Sequence, residues 1–193
     1  MAKVSEQDFL RLANAHPQLW RFLAVELCHR LIERRKFHRE PNLTPVVFIG
    51  SSKERLAIAD AVKKGIPATV ADTIIWSENV FTASSYTLES LEAQLLTADF
   101  AVLVAGPDDE VTSRGTTEGA PRDNVIFELG LFMGALSRSR TFILAPAGVA
   151  LKIPSDLNGL TKIVFDGTAT DPVAAVEGAV RELVKLISNK GPR

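Results

Sequence analysis

The sequence has little that would tie the chain to a membrane, a nucleic acid or an oxidising compartment. Cys28 is the only cysteine in 193 residues, so no disulfide can form within the chain, which favours a reducing compartment. No apolar run approaches the roughly 20 residues of a membrane-spanning helix, and the N-terminus lacks a signal-peptide core. Lysine plus arginine (22) balance aspartate plus glutamate (23), so no global field attracts nucleic acid or anionic lipid. These absences predict a soluble, cytoplasmic protein.

Motifs for metals and for phosphate-binding loops are also missing. The three histidines (His16, His29 and His38) have no cysteine or histidine partner at a metal-ligand spacing, so no metal is expected. Neither GxGxxG nor GxxxxGK[ST] occurs, which argues against a Rossmann dinucleotide fold and a P-loop. Cys28 lies in an apolar helical pattern and is therefore predicted to be a core thiol and not a nucleophile.

The first 40 residues have a helical pattern of their own. Ser5 followed by Asp8 resembles a capping box at the start of a first helix. His16-Pro17 interrupts that helix, because the proline ring disfavours helix in the preceding residue but suits the first turn of a new one. The second helix is predicted from about Pro17, with four apolar residues spaced three and four apart on one side, namely Trp20, Leu23, Leu27 and Leu31. Pro41-Asn42 marks a linker.

From residue 45 onwards, apolar strands alternate with amphipathic helices. The predicted strands cover residues 45–50, 68–76, 100–104, 141–144 and 162–165. The predicted helices cover residues 53–64, 87–96, 124–135 and 172–187. Near-continuous apolar strands separated by helices imply a parallel sheet with both faces covered. We therefore predict a doubly wound, flavodoxin-like α/β domain over residues 45–190, preceded by a helical segment over residues 1–40.

Ligands bind beyond the carboxyl ends of the strands in such sheets, and this rule selects particular loops. Gly50, Ser51 and Ser52 follow a buried strand and precede a helix, so their N–H groups and hydroxyls suit a phosphate or another anion. Serine is equally favoured as an ordinary helix cap. Trp76 and Phe81 flank the next loop, where either ring could stack on nicotinamide or adenine or could belong to the core.

Acidic side chains follow the third predicted strand. Asp108 and Asp109 could bind a ribose or a metal, although Gly106-Pro107 before them indicates a simple turn. Glu89 and Glu92, in the helix predicted over residues 87–96, are weaker candidates, because acids near a helix start are common and favourable for the helix dipole.

The segment that carries Glu128 is the most informative part of the chain. A polar loop over residues 114–119 leads to Arg122, Asp123 and Asn124, of which Asp123 or Asn124 is predicted to cap the next helix. Glu128 then lies one turn into a helix whose other residues are almost all apolar, so we expect it to be at least partly buried. Buried carboxylates are costly unless paired, and they cluster at functional sites. The alternative is a structural salt bridge from Glu128 to Arg122 or Arg114, in which Arg122 is no substrate clamp.

Several segments together resemble the bacterial TIR-like, predicted nucleotide-binding family. The resemblance runs in order over roughly residues 45–166, and its most specific part is the run PRDNVIFELG over residues 121–130. Its other segments are FIGSSKE (48–54), IW (75–76), YTLESL (86–91), DFA (99–101), PDD (107–109) and the stretch 151–159, which contains PSDLNG. This domain occurs fused to bacterial STING and in effectors of cyclic-nucleotide anti-phage systems, including those of the Pycsar type.

The resemblance implies an NAD hydrolase with Glu128 as the catalytic glutamate. NAD would then be the substrate, and no cofactor is expected. We expect the substrate to be bound by residues at the strand ends: Gly50, Ser51, Ser52, Trp76, Phe81, Asp108, Arg122, Asp123 and Asn124. The resemblance also implies that the site is completed between two packed domains, so that activity depends on a homo-oligomer or filament, and that NAD depletion kills the cell or arrests its growth.

The N-terminal helices resemble the final helices of cyclic-nucleotide-binding domains. The resemblance rests on DFLRL (8–12), HPQL (16–19) and LCHRL (27–31). The β-roll that precedes these helices in such domains is absent from this sequence, so the sensor is truncated or the gene start lies upstream. The resemblance implies activation by a cyclic pyrimidine nucleotide (cUMP or cCMP) made by a partner cyclase. Two other hypotheses about the function remain open. The chain could be a non-catalytic TIR-like scaffold, or it could be a nucleoside deoxyribosyltransferase-like enzyme.

Overall fold

The computed structural model describes residues 4–35, 39–76, 87–113, 115–157 and 159–193. The chain divides into two compact units, Met1–Glu40 and Pro41–Arg193. None of the described helices combines the length and the hydrophobicity that crossing a membrane requires.

The first unit contains two helices, α1 (Glu6–Ala15) and α2 (Gln18–Arg35). The capping prediction at its start is confirmed, because the Ser5 hydroxyl accepts the Asp8 N–H at 3.2 Å and donates to the Asp8 carboxylate at 2.6 Å. The break at His16-Pro17 is also confirmed, since α1 ends immediately before it. Phe9 and Trp20 meet edge to face across the two helices, with 5.3 Å between ring centroids.

The apolar residues of α2 are largely exposed, and the prediction that Cys28 is a core thiol is wrong. Trp20 is 43% exposed, Leu27 59% and Leu31 61%, and Cys28 is exposed as well, so it is not a core thiol. Apolar side chains also occur elsewhere around this helix, as at Phe22, which is 67% exposed. The physical reason is size, because a unit of about 40 residues has too little chain to bury a helix face.

The second unit contains four helices and seven strands among its described residues. In chain order they are β1 (Val46–Ser51), α3 (Leu56–Gly65), β2 (Asp72–Trp76), α4 (Thr87–Thr97), β3 (Phe100–Val104), β4 (Asp109–Ser113), β5 (Thr116–Ala120), α5 (Asp123–Leu136), β6 (Thr141–Pro146), β7 (Thr161–Phe165) and α6 (Pro172–Lys190).

Five parallel strands form the central sheet in the order β2-β1-β3-β6-β7, which confirms the flavodoxin-like prediction. The core has two halves. Val47 and Ile49 of β1 face α3 and α6, whereas Phe48, between them, faces α4 and α5. The chain therefore leaves β1 towards one face of the sheet and leaves β3 towards the other. This change of direction is the topological switch point at which such sheets bind ligands.

Two predicted boundaries within this unit are wrong. Residues 67–70 form a turn, closed by the Val70 N–H on the Pro67 carbonyl at 2.8 Å, so the second strand begins only at Asp72. The polar loop predicted over residues 114–119 belongs to a hairpin in which β4 pairs antiparallel with β5. This hairpin is mostly exposed, so its strands have no apolar alternation by which the sequence could reveal them.

Asp99 joins separate segments at the amino edge of the sheet. Its side chain is fully buried, and Oδ2 accepts the Asn42 side-chain N–H at 2.6 Å and the Val46 backbone N–H at 2.8 Å. Oδ1 accepts the backbone N–H of Arg193 at 2.9 Å. One carboxylate therefore holds the start of β1 and the tail after α6 together.

Candidate functional site

Glu128 is the buried carboxylate of the site. It lies on the inward face of α5, with Val125, Leu129 and Phe132, and it is 7% exposed. The burial predicted from its apolar neighbours is therefore confirmed. Because α5 packs against β1 and β3, the side chain is directed towards the middle of the sheet and not towards bulk solvent.

The Glu128 carboxylate reaches the end of β1 at Gly50. A methyl group added at residue 50 would lie 2.6 Å from Glu128 Oε2 and 3.0 Å from Phe48 Cε1. Such distances are shorter than van der Waals contact, so only glycine allows the carboxylate to approach the backbone here. Gly50 pairs in register with Trp76 on one side and with Leu103 on the other. The predicted residues Gly50 and Glu128 are thus brought together at the centre of the carboxyl edge.

Ser52 and Asp108 form a second part of the site, across the switch point. The Ser52 hydroxyl donates to Asp108 Oδ2 at 2.7 Å, and Arg55 Nε donates to Asp108 Oδ1 at 2.8 Å. The Asp108 side chain is only 2% exposed. Ser52 takes the N-cap position of the helical turn that follows it, but its side chain makes no cap bond there. These contacts tie the loop after β1 to the loop after β3.

Arg55 is the residue of this edge that sequence reasoning missed. Its guanidinium lies against Gly106, where an added methyl group would be 2.6 Å from Cζ and 2.7 Å from Nη2. The available signal was its position three residues after Ser52, in the first turn that follows a strand at the ligand-binding edge.

Ser51 is separated from Glu128 by the pleat of β1. Alternation along the strand directs Gly50 towards α5 and Ser51 towards α3 and α6. Ser51 is 6% exposed, and its hydroxyl has no hydrogen-bond partner within the described part of the chain. A ligand that contacts both Glu128 and Ser51, as predicted, would therefore have to extend from the α5 side of β1 to its α3 side.

Trp76 ends β2 next to Gly50 and is half-buried. It packs against the core beneath α5, with its ring centroid 6.2 Å from that of Phe48. A structural role is thus established, and stacking on a ligand ring stays a prediction. Phe81, the other predicted ring, lies outside the described residues, as does Arg114.

The polar residues before Glu128 have separate surroundings. Arg122 donates to Asp109 Oδ1 at 3.3 Å. The capping prediction is wrong, because α5 begins at Asp123 and Arg122, in the cap position, makes no side-chain cap bond. Asp123 lines a different groove of about 410 Å³, whereas the exposed Asn124 is one helical turn before Glu128 and shares its side of the helix.

Arg122 also acts on a neighbouring acid. The pKa of Glu54 is lowered, first by a hydrogen bond from its own backbone and then by the charge of Arg122. The carboxyl edge of β1 and β3 therefore alternates acids with arginines and is not a uniformly basic surface. An anionic ligand would be recognised there by individual donors and not by a broad positive field.

The chain is similar to a family of bacterial defence proteins. A family model described as "CAP12/Pycsar effector protein, TIR domain" matches residues 46–167, which include every part of the site. The Pycsar effector protein PaPycTIR of Pseudomonas aeruginosa is 42% identical over 193 residues, 99% of this chain and 63% of that protein. BcPycTIR of Burkholderia cepacia is 42% identical over 165 residues, 86% of this chain and 54% of that protein.

A third relative extends the similarity beyond these two proteins. CD-NTase-associated protein 12 of Flavobacterium daejeonense is 37% identical over 147 residues, which cover 75% of this chain and 46% of that protein. The chain thus spans between about half and two thirds of the length of these curated relatives.

Proposed function

Because the chain belongs to the CAP12/Pycsar effector TIR-domain family, we propose that it is an NAD hydrolase of a cyclic-nucleotide-activated anti-phage system. The observation that carries the proposal is the buried Glu128 carboxylate against Gly50, at the carboxyl edge of β1. The products are nicotinamide and an ADP-ribose species, and the resulting loss of NAD stops growth or kills the cell.

One carboxylate is sufficient for this reaction. The bond between ribose C1′ and the pyridinium nitrogen breaks with both electrons going to nitrogen, so nicotinamide leaves neutral and needs no acid. Glu128 stabilises the oxocarbenium-like ribose by its negative charge, which acts strongly in a dry site. Water then adds to C1′ and loses a proton. Ordinary glycosides differ because their leaving oxygen must be protonated, which requires a second carboxyl group.

We assign supporting roles to the residues around Glu128. Gly50 leaves room for the sugar and the carboxylate. Asn124, on the same side of α5 as Glu128, helps to orient the groups on that side. Trp76 contributes a ring beside the sugar. Ser52 and Asp108 hold the two switch-point loops together, as their hydrogen bond at 2.7 Å indicates.

Assembly and activation complete the proposal. Two copies of the domain pack so that each site is closed by its neighbour, in a dimer or filament. A cyclic pyrimidine nucleotide, cUMP or cCMP, drives this assembly through a sensor joined to the N-terminal helices. The similarity to Pycsar effector proteins supports this context, and the resemblance of α1 and α2 to sensor helices supports the connection.

The proposal is tested by measuring nicotinamide release from NAD. The chain is fused to a dimerising domain or held under crowding, and Glu128→Gln is compared with wild type at matched oligomeric state. We expect a loss of about 100-fold or more, the scale on which removing a transition-state stabiliser acts. Assembled wild-type protein that releases no nicotinamide would favour a non-catalytic scaffold. Cleavage of deoxynucleosides without cleavage of NAD would favour a deoxyribosyltransferase.

A further inference from the structure

We propose that Arg55 binds the diphosphate of the dinucleotide and so makes the enzyme select NAD over substrates without phosphate. The inference rests on the proposed function, because it names the group that holds the far end of the same substrate. Arg55 belongs to none of the sequence motifs and takes no part in the chemistry at Glu128.

Arg55 lies at the switch point of the sheet. Its backbone belongs to the helical turn Lys53–Arg55 after β1, and its guanidinium crosses to Gly106 in the loop after β3. The two loops diverge to opposite faces here, which opens the crevice that flavodoxin-like sheets use for ligands. A cation that spans this crevice is in position to meet a ligand lying along the carboxyl edge.

The Arg55 side chain is held in a fixed orientation. Asp108, which is almost completely buried, accepts its Nε at 2.8 Å and is itself held by Ser52 at 2.7 Å. The absence of a side chain at Gly106 leaves the space that the guanidinium occupies. An arginine held in this way loses little further conformational freedom when it binds a ligand.

Most of the hydrogen-bonding capacity of Arg55 is unused. The ion pair employs Nε, and the terminal nitrogens Nη1 and Nη2 have no partner among the residues that the structure describes. The side chain remains 27% exposed, so solvent reaches it. A salt bridge that served only to join two loops would need one donor, which a lysine also supplies. The two remaining N–H edges match the forked geometry by which arginine binds phosphate groups.

The spacing between Arg55 and Glu128 suits one ribose and its phosphate. Glu128 contacts Gly50, whose partner in β3 is Leu103. Gly106, against which the guanidinium lies, is three residues beyond Leu103 and so at most about 10 Å from it along the chain. Leu103 lies about 5 Å from Gly50 across the sheet, so Gly50 and Gly106 are within about 15 Å of each other. A ribose against Glu128 would therefore place its 5′-phosphate towards Arg55.

The binding test uses ADP as the diphosphate probe and adenosine as the phosphate-free control. Calorimetry compares wild type with Arg55→Gln and Arg55→Lys, and with Arg181→Gln as a matched charge control on the exposed face of α6. We expect Arg55→Gln to weaken ADP binding at least tenfold, Arg55→Lys to be intermediate, and adenosine binding to be equal in all four proteins. Wild-type ADP affinity in Arg55→Gln, or equal affinity of wild type for ADP and adenosine, would overturn the inference.

The kinetic test separates diphosphate binding from a purely structural role. Arg55→Gln should raise KM for NAD at least tenfold with little change in kcat, and should leave cleavage of nicotinamide riboside, which has no phosphate, unchanged. Equal losses on both substrates would show that Arg55 only braces the loops, and would overturn the inference. Melting curves identify any variant that is unfolded. If Arg55→Gln is unfolded, the comparison of wild type with Arg55→Lys, which keeps the ion pair with Asp108, decides whether the inference holds. Because ADP binding needs no catalysis, an inactive protein that binds ADP through Arg55 would refute the hydrolase proposal alone.

Discussion

Glu128 Oε2 lies against the backbone of Gly50, so close that a single added methyl group would be 2.6 Å from it. The two residues are 78 positions apart in the sequence, counted from 50 to 128. The contact places a carboxylate from the first turns of α5 at the end of β1, where two neighbouring strands end as well.

Gly50→Ala should remove most of the NAD hydrolysis while the domain stays folded. The new methyl group would crowd both Leu103 Cδ1, at 2.5 Å, and Glu128 Oε2, at 2.6 Å, so both side chains must shift. A displacement of about 1 Å at a catalytic group costs on the order of 100-fold in rate. Nicotinamide release by the assembled protein measures the effect. Gly134→Ala is the matched control, because a methyl group there meets nothing within 4 Å. It should raise stability by roughly 0.5–1 kcal/mol, and an unchanged rate in Gly50→Ala would contradict the proposed position of the sugar.

Asp108→Ala should destabilise the second unit by about 1–3 kcal/mol in urea unfolding, because it leaves the half-buried Arg55 without its carboxylate. Asp108→Asn should cost much less. The amide oxygen of the new asparagine can still accept from Arg55. Its N–H₂ group can donate to the Ser52 hydroxyl, which then acts as an acceptor and no longer as a donor. Equal costs for the two variants would show that the charge of Asp108 matters more than the hydrogen-bond geometry.

Asp99→Asn should lower the free energy of unfolding by about 1.5–3 kcal/mol. The carboxylate accepts from Asn42, Val46 and Arg193, and an amide would turn one N–H₂ group towards these donors. Glu177→Gln, which breaks only an exposed ion pair on α6, serves as the control and should be nearly neutral. A neutral Asp99→Asn would mean that the tail after α6 is not held by this carboxylate.

Asp166→Asn should lower the melting temperature at neutral pH, and the difference from wild type should vanish in acid. The hydroxyl of Thr168, and then its backbone N–H, lower the pKa of Asp166. A depressed folded-state pKa stabilises the fold above the unfolded-state value, and that stabilisation is lost as the pH falls through the folded-state pKa. The loss therefore occurs below about pH 4, given the usual aspartate pKa. Melting curves of both proteins between neutral pH and the acid range measure this loss. A melting-temperature difference that persists in acid would contradict the stabilising role of the Asp166 carboxylate.

The sheet could be predicted from the sequence because its strands are buried on both faces. Such strands appear as continuous apolar runs, as in Phe100–Val104, which the prediction located to the residue. The hairpin Asp109–Ala120 could not be predicted, because exposed polar strands have no periodic apolar signal. Cys28 of α2 was wrongly predicted to be a core thiol for the opposite reason, since an apolar pattern reveals an apolar face but not whether anything covers it.

The candidate site was predictable residue by residue but not as a set of contacts. Burial of Glu128 followed from its apolar neighbours within one helix, and Ser52 and Asp108 were placed at the correct edge by the rule for strand ends. Nothing local indicated that Ser52 and Asp108 bond to each other, or that Arg55 joins them. These pairs depend on how two loops approach each other across the sheet.

The sequence alone determined the order of the helices and of the five parallel-sheet strands, and the helix that carries Glu128, because each depends on hydrophobic patterns within a few turns or one strand. Only the tertiary structure decided that Glu128 meets Gly50, that the pleat turns Ser51 away, and that Arg55 lies across the switch point. Those relations are set by strand register and by the approach of loops that are distant in the chain, which no local pattern encodes.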